Sequence, residues 1–152
     1  MRKFEKIRDE FIKYDQKLED IKLPVRATKS AVAYDFFSPI DYVLKSGERK
    51  LIFTNVKAVF NDDEALILAV RSSMGKSGVM LANGIGIIET DYYGNESNDG
   101  NLGFFLYNFG EEDYVIKVGD KIGQGFFTKY LTVDNEEEII TTRKGGFGST
   151  NK

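Results

Sequence analysis

The apolar residues of this chain fall in short runs that end at turn-forming residues, and this punctuation constrains the fold more than any other feature. Ala65 to Val70 is a continuous apolar run, as expected of a strand buried on both faces. Val56 to Phe60 alternates, and Asn61-Asp62-Asp63 then turns the chain. Runs as short and as regularly interrupted as these predict an all-β sandwich or barrel.

Further runs of the same kind continue along the chain. They are Ala31–Phe37, Asp41–Leu44, Glu48–Phe53, Gly103–Tyr107, Tyr114–Val118 and Ile122–Val133. Lys45-Ser46-Gly47 predicts a hairpin between the two runs that flank it. Asn95 to Asn101 is a polar loop, and we expect it to form the tip of another hairpin.

The segment from Phe4 to Ile21 can be interpreted in two ways. Its apolar residues recur every three or four positions, which is typical of an amphipathic helix of about 18 residues. A first strand followed by a turn or short helix accounts for the same residues equally well. Pro24 ends the segment in either case, because it disfavours helix in the residue before it.

The chain of 152 residues is long enough for one domain with a substantial core. We expect a barrel over 1–140 and a C-terminal arm over 141–152, since the last residues have no core-forming pattern. No apolar run approaches the ~20 residues that span a bilayer, and a net charge of −3 does not attract nucleic acid. These features predict a cytoplasmic protein that binds neither membranes nor nucleic acid.

The chain has no histidine and no cysteine, which limits the catalytic groups and metal ligands that it can supply. A Ser-His-Asp triad, a disulfide and a His- or Cys-based zinc site are therefore excluded. A general base must be a carboxylate, a lysine or a tyrosine. A metal ion must be held by oxygen atoms, which points to magnesium or calcium.

The residues that can carry chemistry concentrate in the middle of the chain. Arg71, Ser72 and Ser73 follow a predicted buried strand, where they form either a charged surface turn or a contact with phosphate oxygens. Glu89 and Asp91 are two residues apart on a predicted strand, so their side chains would share one face. They are either two solvated acids or a water-activating carboxylate with an acidic neighbour.

Two polar residues inside apolar runs add to these candidates. Asp35 lies within Ala-Val-Ala-Tyr-Asp-Phe-Phe, and a buried carboxylate is costly unless it is paired or faces a site. Gln124 raises the same question more weakly. Tyr92 and Tyr93 follow the two acids, and tyrosines in such positions are more often packing residues than ligand contacts.

The C-terminal arm contains the sequence Gly-Gly-Phe-Gly-Ser-Thr. By composition alone this segment is a disordered tail. It also has features of a ligand-binding segment, because Phe147 can stack on a base and Arg143 and Lys144 can bind phosphate. It is not a P-loop, since the terminal Gly-Lys-Ser/Thr is absent.

Five short segments, taken in order, resemble the five motifs of the trimeric dUTPase (dUTP pyrophosphatase) family. The segments are Ala31–Phe36, Arg71–Ser73, Asn83–Gly94, Gly119–Gln124 and Arg143–Thr150. The resemblance extends over nearly the whole chain, and the last segment is its most specific part. The sequence looks most like family members from Gram-positive bacteria and their phages.

The resemblance implies a jelly-roll-like β-barrel that forms a homotrimer, with exchanged C-terminal arms closing over neighbouring active sites. The implied reaction is hydrolysis of dUTP to dUMP and pyrophosphate, in which a carboxylate-activated water attacks the α-phosphorus and Mg²⁺ is bound to the triphosphate. Glu89 falls at the position of the family's catalytic aspartate, and Asp91 is a possible substitute base. Asp35 would face the water shell of the magnesium ion.

The resemblance also implies the substrate contacts. Asn83 and the hairpin backbone that includes Gly86 and Ile88 would hold uracil. Tyr92 would lie under the deoxyribose, and Phe147 would stack on the base. The remaining implied substrate-binding residues, mostly phosphate contacts, are Arg71, Ser72, Ser73, Gln124, Arg143, Gly148, Ser149 and Thr150.

Two departures from the family pattern matter. Ala33 stands where the family usually has glycine, and Glu89 is one methylene longer than the aspartate it replaces. The second departure supports an alternative, a dUTP-binding regulatory protein of the phage type with weak turnover, whose partner is a repressor. A dCTP deaminase of the same superfold is a third interpretation, but the arm and the Asn83–Tyr92 hairpin favour a uracil nucleotide.

Overall fold

The computed structural model describes residues 1–141 and 145–146, and nearly all of their regular structure is β. The strands of this described part are β1 Lys3–Lys6, β2 Tyr34–Phe37, β3 Tyr42–Leu44, β4 Arg49–Phe53, β5 Val56–Val59, β6 Glu64–Ala69, β7 Val79–Leu81, β8 Gly86–Ile88, β9 Gly103–Asn108, β10 Tyr114–Ile116 and β11 Lys121–Lys129. A short α-helix, α1, spans Ser72–Lys76, and 3₁₀ turns span Asp9–Phe11, Leu18–Asp20 and Thr90–Tyr92. The prediction of an all-β fold is confirmed.

The strands pair antiparallel in four sheets. The largest has the order β2-β11-β6-β8, and a second has the order β4-β9-β7. β1 pairs with β5, and β3 pairs with β10. β6 lies inside the largest sheet, where Leu66 and Leu68 are fully buried and the alternate residues Ile67 and Ala69 are partly buried.

The two larger sheets face each other across one apolar core. Phe36 of β2 and Phe104 of β9 meet with their ring centroids 5.2 Å apart. Gly123 of β11 makes room for this contact, because a Cβ atom there would lie 2.1 Å from Cε1 of Phe104. The close packing at Gly123 fixes the strand segment that carries the neighbouring Gln124.

The segment from Phe4 to Ile21 is a strand followed by 3₁₀ turns, so the second of its two interpretations is confirmed. β1 is paired with β5, which holds Phe4 against Phe36 at a centroid distance of 5.4 Å. Tyr14 and Asp15 adopt φ angles of 66° and 52°, and this left-handed backbone interrupts a helix.

Both predicted hairpins are wrong. β3 and β4 flank the turn at Lys45-Ser46-Gly47 but pair with different strands, β10 and β9. Asn95–Asn101 lies between the 3₁₀ turn after β8 and the start of β9, and those two strands also have different partners. The chain changes sheets at both places, because burial of the apolar faces in the common core decides the pairing.

In the described part of the chain, no helix is long and apolar enough to cross a membrane.

Candidate active site

An open cleft of about 390 Å³ is lined by β2 and the segment before it, by Arg71 and the start of α1, and by β11. The strand register brings them together, because Gln124 lies opposite both Asp35 of β2 and Ala69 at the end of β6. Arg71 follows β6 with extended backbone and immediately precedes α1. The lining residues are Ala27, Ala31, Ala33, Asp35, Arg71, Ser72, Ser73 and Gln124.

Asp35 is buried beside this cleft and pairs with two cations. Its Oδ1 lies 3.2 Å from Nε of Arg71, and its Oδ2 lies 3.1 Å from Nζ of Lys121. The carboxylate is therefore both paired and at a site, which are the two conditions that make its burial tolerable. Sequence analysis missed Lys121, although it lies in the fourth resembling segment, three residues before Gln124.

The polar groups of the cleft suit an anionic ligand. Two cations and one carboxylate leave this group of side chains with a net positive charge. Ser72 and Ser73 are exposed in the first turn of α1, so their hydroxyl groups are accessible. Nε2 of Gln124 donates a hydrogen bond to the carbonyl of Val70 at 3.1 Å, which fixes this amide next to the end of β6.

β8 and the turn before it hold the next candidates. Asn83 is exposed in that turn, where its Nδ2 donates to the carbonyl of Ile85 at 2.9 Å. Gly86 and Ile88 are the two end residues of β8. The structure therefore places the proposed uracil-binding residues on one continuous piece of backbone that leads directly to Glu89.

Glu89 and Asp91 do not lie on a strand, so the prediction that they share a strand face is wrong. β8 ends at Ile88, Glu89 precedes a 3₁₀ turn, and Asp91 lies within that turn. The turn exposes both acids while it directs Tyr92 inward, where this side chain is 5% exposed. Burial of the tyrosine ring thus overrides the continuation of the strand.

Tyr92 and Tyr93 have different surroundings. The hydroxyl group of Tyr92 donates to the carbonyl of Asn101 at 2.6 Å. The backbone of Gly146, a described arm residue, lies against the same ring, since a Cβ atom there would be 2.7 Å from Cε1 of Tyr92. Tyr93 donates to Glu5, and this hydrogen bond raises the pKa of Tyr93 to about 12, which excludes it as a base at neutral pH.

The remaining candidates belong to the C-terminal arm. Arg143, Phe147, Gly148, Ser149 and Thr150 lie outside the described residues. Their roles in binding the base and the phosphates therefore stay predictions.

The sequence model of the dUTPase family matches residues 19–151 of this chain. The deoxyuridine 5'-triphosphate nucleotidohydrolase of Lactococcus lactis is 38% identical over 132 residues, which cover 86% of this chain and 88% of that protein. The chain belongs to the dUTPase family.

Solved structures of dUTPases share the fold. A dUTPase from Streptococcus mutans matches with a TM-score of 0.74 and 31% identity, over 87% of this chain and 98% of that one. A dUTPase from phage phi11 of S. aureus matches with a TM-score of 0.71 over 93% and 97% of the two chains, and at 18% identity this shows the fold alone. The jelly-roll β-fold and the resemblance to the dUTPase family are thereby confirmed.

In this member of the dUTPase family, the two groups of candidates lie beside different residues of β6. Ala69, close to Arg71, pairs with Gln124, whereas Leu66 pairs with the residue before Glu89. The two pairs are about 10 Å apart along the strand. The register therefore places the cationic cleft and the residue before Glu89 at different points along β6.

Proposed function

We propose that this chain is a dUTP diphosphatase, which hydrolyses dUTP to dUMP and pyrophosphate. Its membership of the dUTPase family over most of its length carries the proposal. The cleft adds physical support, because it exposes the hydroxyl groups of Ser72 and Ser73 and its Asp35 pairs with two cations, Arg71 and Lys121. A triphosphate needs such positive charge and hydrogen-bond donors.

We further propose that the protein acts as a homotrimer with shared sites. The cleft of one subunit would face Glu89 and Tyr92 of a neighbour, and a C-terminal arm would close over the pair. The separation of these groups along β6 supports this arrangement, because a single copy leaves the phosphate-binding cleft far from the carboxylate that must activate water.

The donor set fits a hydrated magnesium ion rather than a protein-only metal cage. Among the residues that the structure describes, no three carboxylates gather in one place. Mg²⁺ commonly keeps several waters and is held by one or two carboxylates together with substrate phosphates. Asp35 is the carboxylate at the cleft that would hold its water shell, and the bound ion would neutralise charge on the triphosphate.

The chain's own residues would then carry the reaction in the following way. Arg71, Ser72 and Ser73 bind phosphate oxygens, and Gln124 lies beside them. Glu89 orients a water molecule and takes its proton as the water oxygen bonds to the α-phosphorus. The bond from the α-phosphorus to the bridging oxygen breaks, and pyrophosphate leaves. Such a reaction depends mainly on positioning and charge neutralisation, and it needs no histidine.

The segment Asn83–Gly94 and the C-terminal arm would select the substrate. Asn83 and the backbone at Gly86 and Ile88 would hold uracil without space for a 5-methyl group. Tyr92 would lie under the deoxyribose and exclude a 2′-hydroxyl group. Phe147 would stack on the base, and the remaining proposed arm contacts to the substrate would come from Arg143, Gly148, Ser149 and Thr150.

The decisive assay is pyrophosphate release from dUTP with Mg²⁺, run beside dCTP, dTTP and UTP, for the wild type and Glu89→Asp. We expect turnover confined to dUTP and dependent on magnesium. No release from dUTP by either protein would refute the proposal. Tight dUTP binding with almost no turnover, rescued by Glu89→Asp, would instead favour the regulatory alternative, whose repressor partner stays a prediction.

A further inference from the structure

The loop from Asn95 to Asn101, which has no role in the proposed reaction, holds Tyr92 at both ends. Nδ2 of Asn95 donates to the backbone carbonyl of Tyr92 at 2.7 Å. Nδ2 of Asn98 donates to the phenolic oxygen at 2.8 Å, and the phenol in turn donates to the carbonyl of Asn101 at 2.6 Å. One loop thus fixes both the backbone and the hydroxyl end of this side chain.

The backbone N–H groups of the loop determine how both amides are oriented. Oδ1 of Asn98 accepts a hydrogen bond from the N–H of Gly100 at 3.0 Å, so its nitrogen must face the phenol. Oδ1 of Asn95 accepts from the N–H of Ser97 at 3.0 Å, so its nitrogen faces the carbonyl of Tyr92. A hydrogen bond of 2.8 Å from Nδ2 of Asn95 to Oδ1 of Asn98 links the two amides.

The loop is itself anchored to the barrel. Asp99 is buried and pairs with Nζ of Lys57 of β5 at 2.8 Å. The fully buried Asn101 accepts a hydrogen bond from the N–H of Asn55 at 2.8 Å and donates to its Oδ1 at 3.0 Å. Gly100 has a φ of 89°, and a Cβ atom there would lie 2.9 Å from Cα of Tyr93, so the loop packs directly on the turn that carries Tyr92.

We propose that Asn98 is a positioning residue for sugar selection, because its hydrogen bond fixes the ring of Tyr92 in the plane that would meet the deoxyribose. This inference rests on the proposed role of Tyr92 in binding dUTP. A ring whose hydroxyl group is held by both Asn98 and Asn101 resists displacement by a 2′-hydroxyl group, whereas a ring that keeps only the Asn101 contact is less restrained. A hydrogen bond of ordinary net strength corresponds to about a fivefold change in discrimination.

The test compares kcat/KM for dUTP and UTP in the wild type, Asn98→Ala, Tyr92→Phe, Tyr92→Ala and the double variant of Asn98→Ala with Tyr92→Phe. We expect Asn98→Ala to raise the UTP-to-dUTP ratio about fivefold. Tyr92→Phe removes this hydrogen bond together with the one to the carbonyl of Asn101, so the double variant should not exceed Tyr92→Phe. Glu96→Gln, an exposed position in the same loop, is the matched control and should leave the ratio unchanged. Dissociation constants of dUMP and UMP give the same comparison without turnover.

The outcomes distinguish a failure of the positioning role of Asn98 from a failure of the proposed contact between Tyr92 and the sugar. If Tyr92→Ala raises the ratio and Asn98→Ala does not, Asn98 has no positioning role and the sugar contact stands. If Tyr92→Ala leaves the ratio unchanged, the sugar contact itself is wrong. Additive effects in the double variant would show that Asn98 acts elsewhere. Should Asn98→Ala fail to fold, Asn98→Leu keeps a similar side-chain size, removes the same donor and offers the phenol no new acceptor.

Discussion

Glu89 extends its carboxylate about 1.5 Å farther from the backbone than the aspartate at this position of the family would. A misplacement of about 1 Å can cost roughly 100-fold in rate, so the added methylene has a measurable consequence unless the local backbone compensates. The backbone around Glu89 differs from a simple strand, since β8 ends one residue earlier and a 3₁₀ turn follows. Asp91 lies within this turn, two residues after Glu89. Experiment must therefore decide which of the two carboxylates is the general base.

Glu89→Gln and Asp91→Asn distinguish the two acids. We expect Glu89→Gln to lower kcat at least about 100-fold, because it removes the proton acceptor and keeps the shape of the side chain. Asp91→Asn should lower kcat much less. Binding of a non-hydrolysable dUTP analogue, measured by calorimetry, should stay close to the wild-type value in both variants. The opposite ranking of kcat would assign the base to Asp91.

Lys121 provides a second prediction about a single residue. It shares Asp35 with Arg71, so Lys121→Met removes the net positive charge of the cleft. We expect KM for dUTP to rise about tenfold at low salt and the difference to shrink at high salt, because screening weakens the lost attraction. Lys129→Met is the matched control, since Lys129 ends the same strand with an exposed side chain. Equal effects of both variants would show that the cleft does not depend on Lys121.

Among the elements, local signals predicted the strands well and their pairing poorly. The apolar run of β6 and the turn residues after β5 identify strands, because burial and turn chemistry act within a few residues. The two wrong hairpins depend on which sheet each strand joins, and this is decided by the distant contacts that close the core. Asp35 could be singled out because a carboxylate in an apolar run is anomalous, whereas Lys121 gave no such signal.

The loop 95–101 was predicted as the tip of a hairpin, which is wrong, and its polar composition also gave no sign of its burial. Asn95, Asp99 and Asn101 are buried. Their amides and carboxylate satisfy one another and the barrel, so polarity does not indicate exposure here. Only the three-dimensional partners, Asn55 and Lys57 above all, distinguish a structural polar cluster from a surface loop.

Asp99 gives this element a measurable contribution to stability. Its side chain is 3% exposed and that of Lys57 is 8% exposed, so Asp99→Asn leaves a buried ammonium without its counter-ion. We expect a loss of about 3 kcal/mol and a melting temperature lower by roughly 10 °C. Thermal unfolding beside Glu96→Gln measures this effect. A melting temperature equal to that of the control would contradict the anchoring role.

The same carboxylate predicts an acid dependence. Burial raises the pKa of Asp99, but the hydrogen bonds from Lys57 and Arg8 outweigh burial and hold this pKa below its ordinary value. A depressed pKa in the folded state stabilises the protein above about pH 4 and loses this effect as the pH falls through the folded value. Below about pH 4, the free energy of unfolding should therefore fall less steeply in Asp99→Asn than in the wild type.

At the scale of the whole molecule, the register along β6 bears on whether one copy of the chain builds the site. Arg71 follows the end of β6, whereas the residue before Glu89 pairs with Leu66, about 10 Å back along the strand. We therefore propose that the two residues reach one phosphorus atom from different chains. In a closed ring of three identical subunits, each cleft can face the β8 turn of the next subunit, and three equivalent sites result. The strand register supports a site shared between chains, and the proposed number of three subunits rests on the resemblance to the family.

Subunit mixing tests this arrangement directly. Arg71→Ala and Glu89→Gln should each be nearly inactive alone, because every site lacks one required group. In a mixed ring of three, one junction in every three joins an intact Arg71 of one subunit to an intact Glu89 of the next. Co-expression with two different tags and purification of the mixed trimers should therefore restore roughly a third of the wild-type kcat per site. If verified mixed trimers remain as inactive as their parents, both residues must act from one chain, and the separation along β6 must then close by movement of the turn after β8.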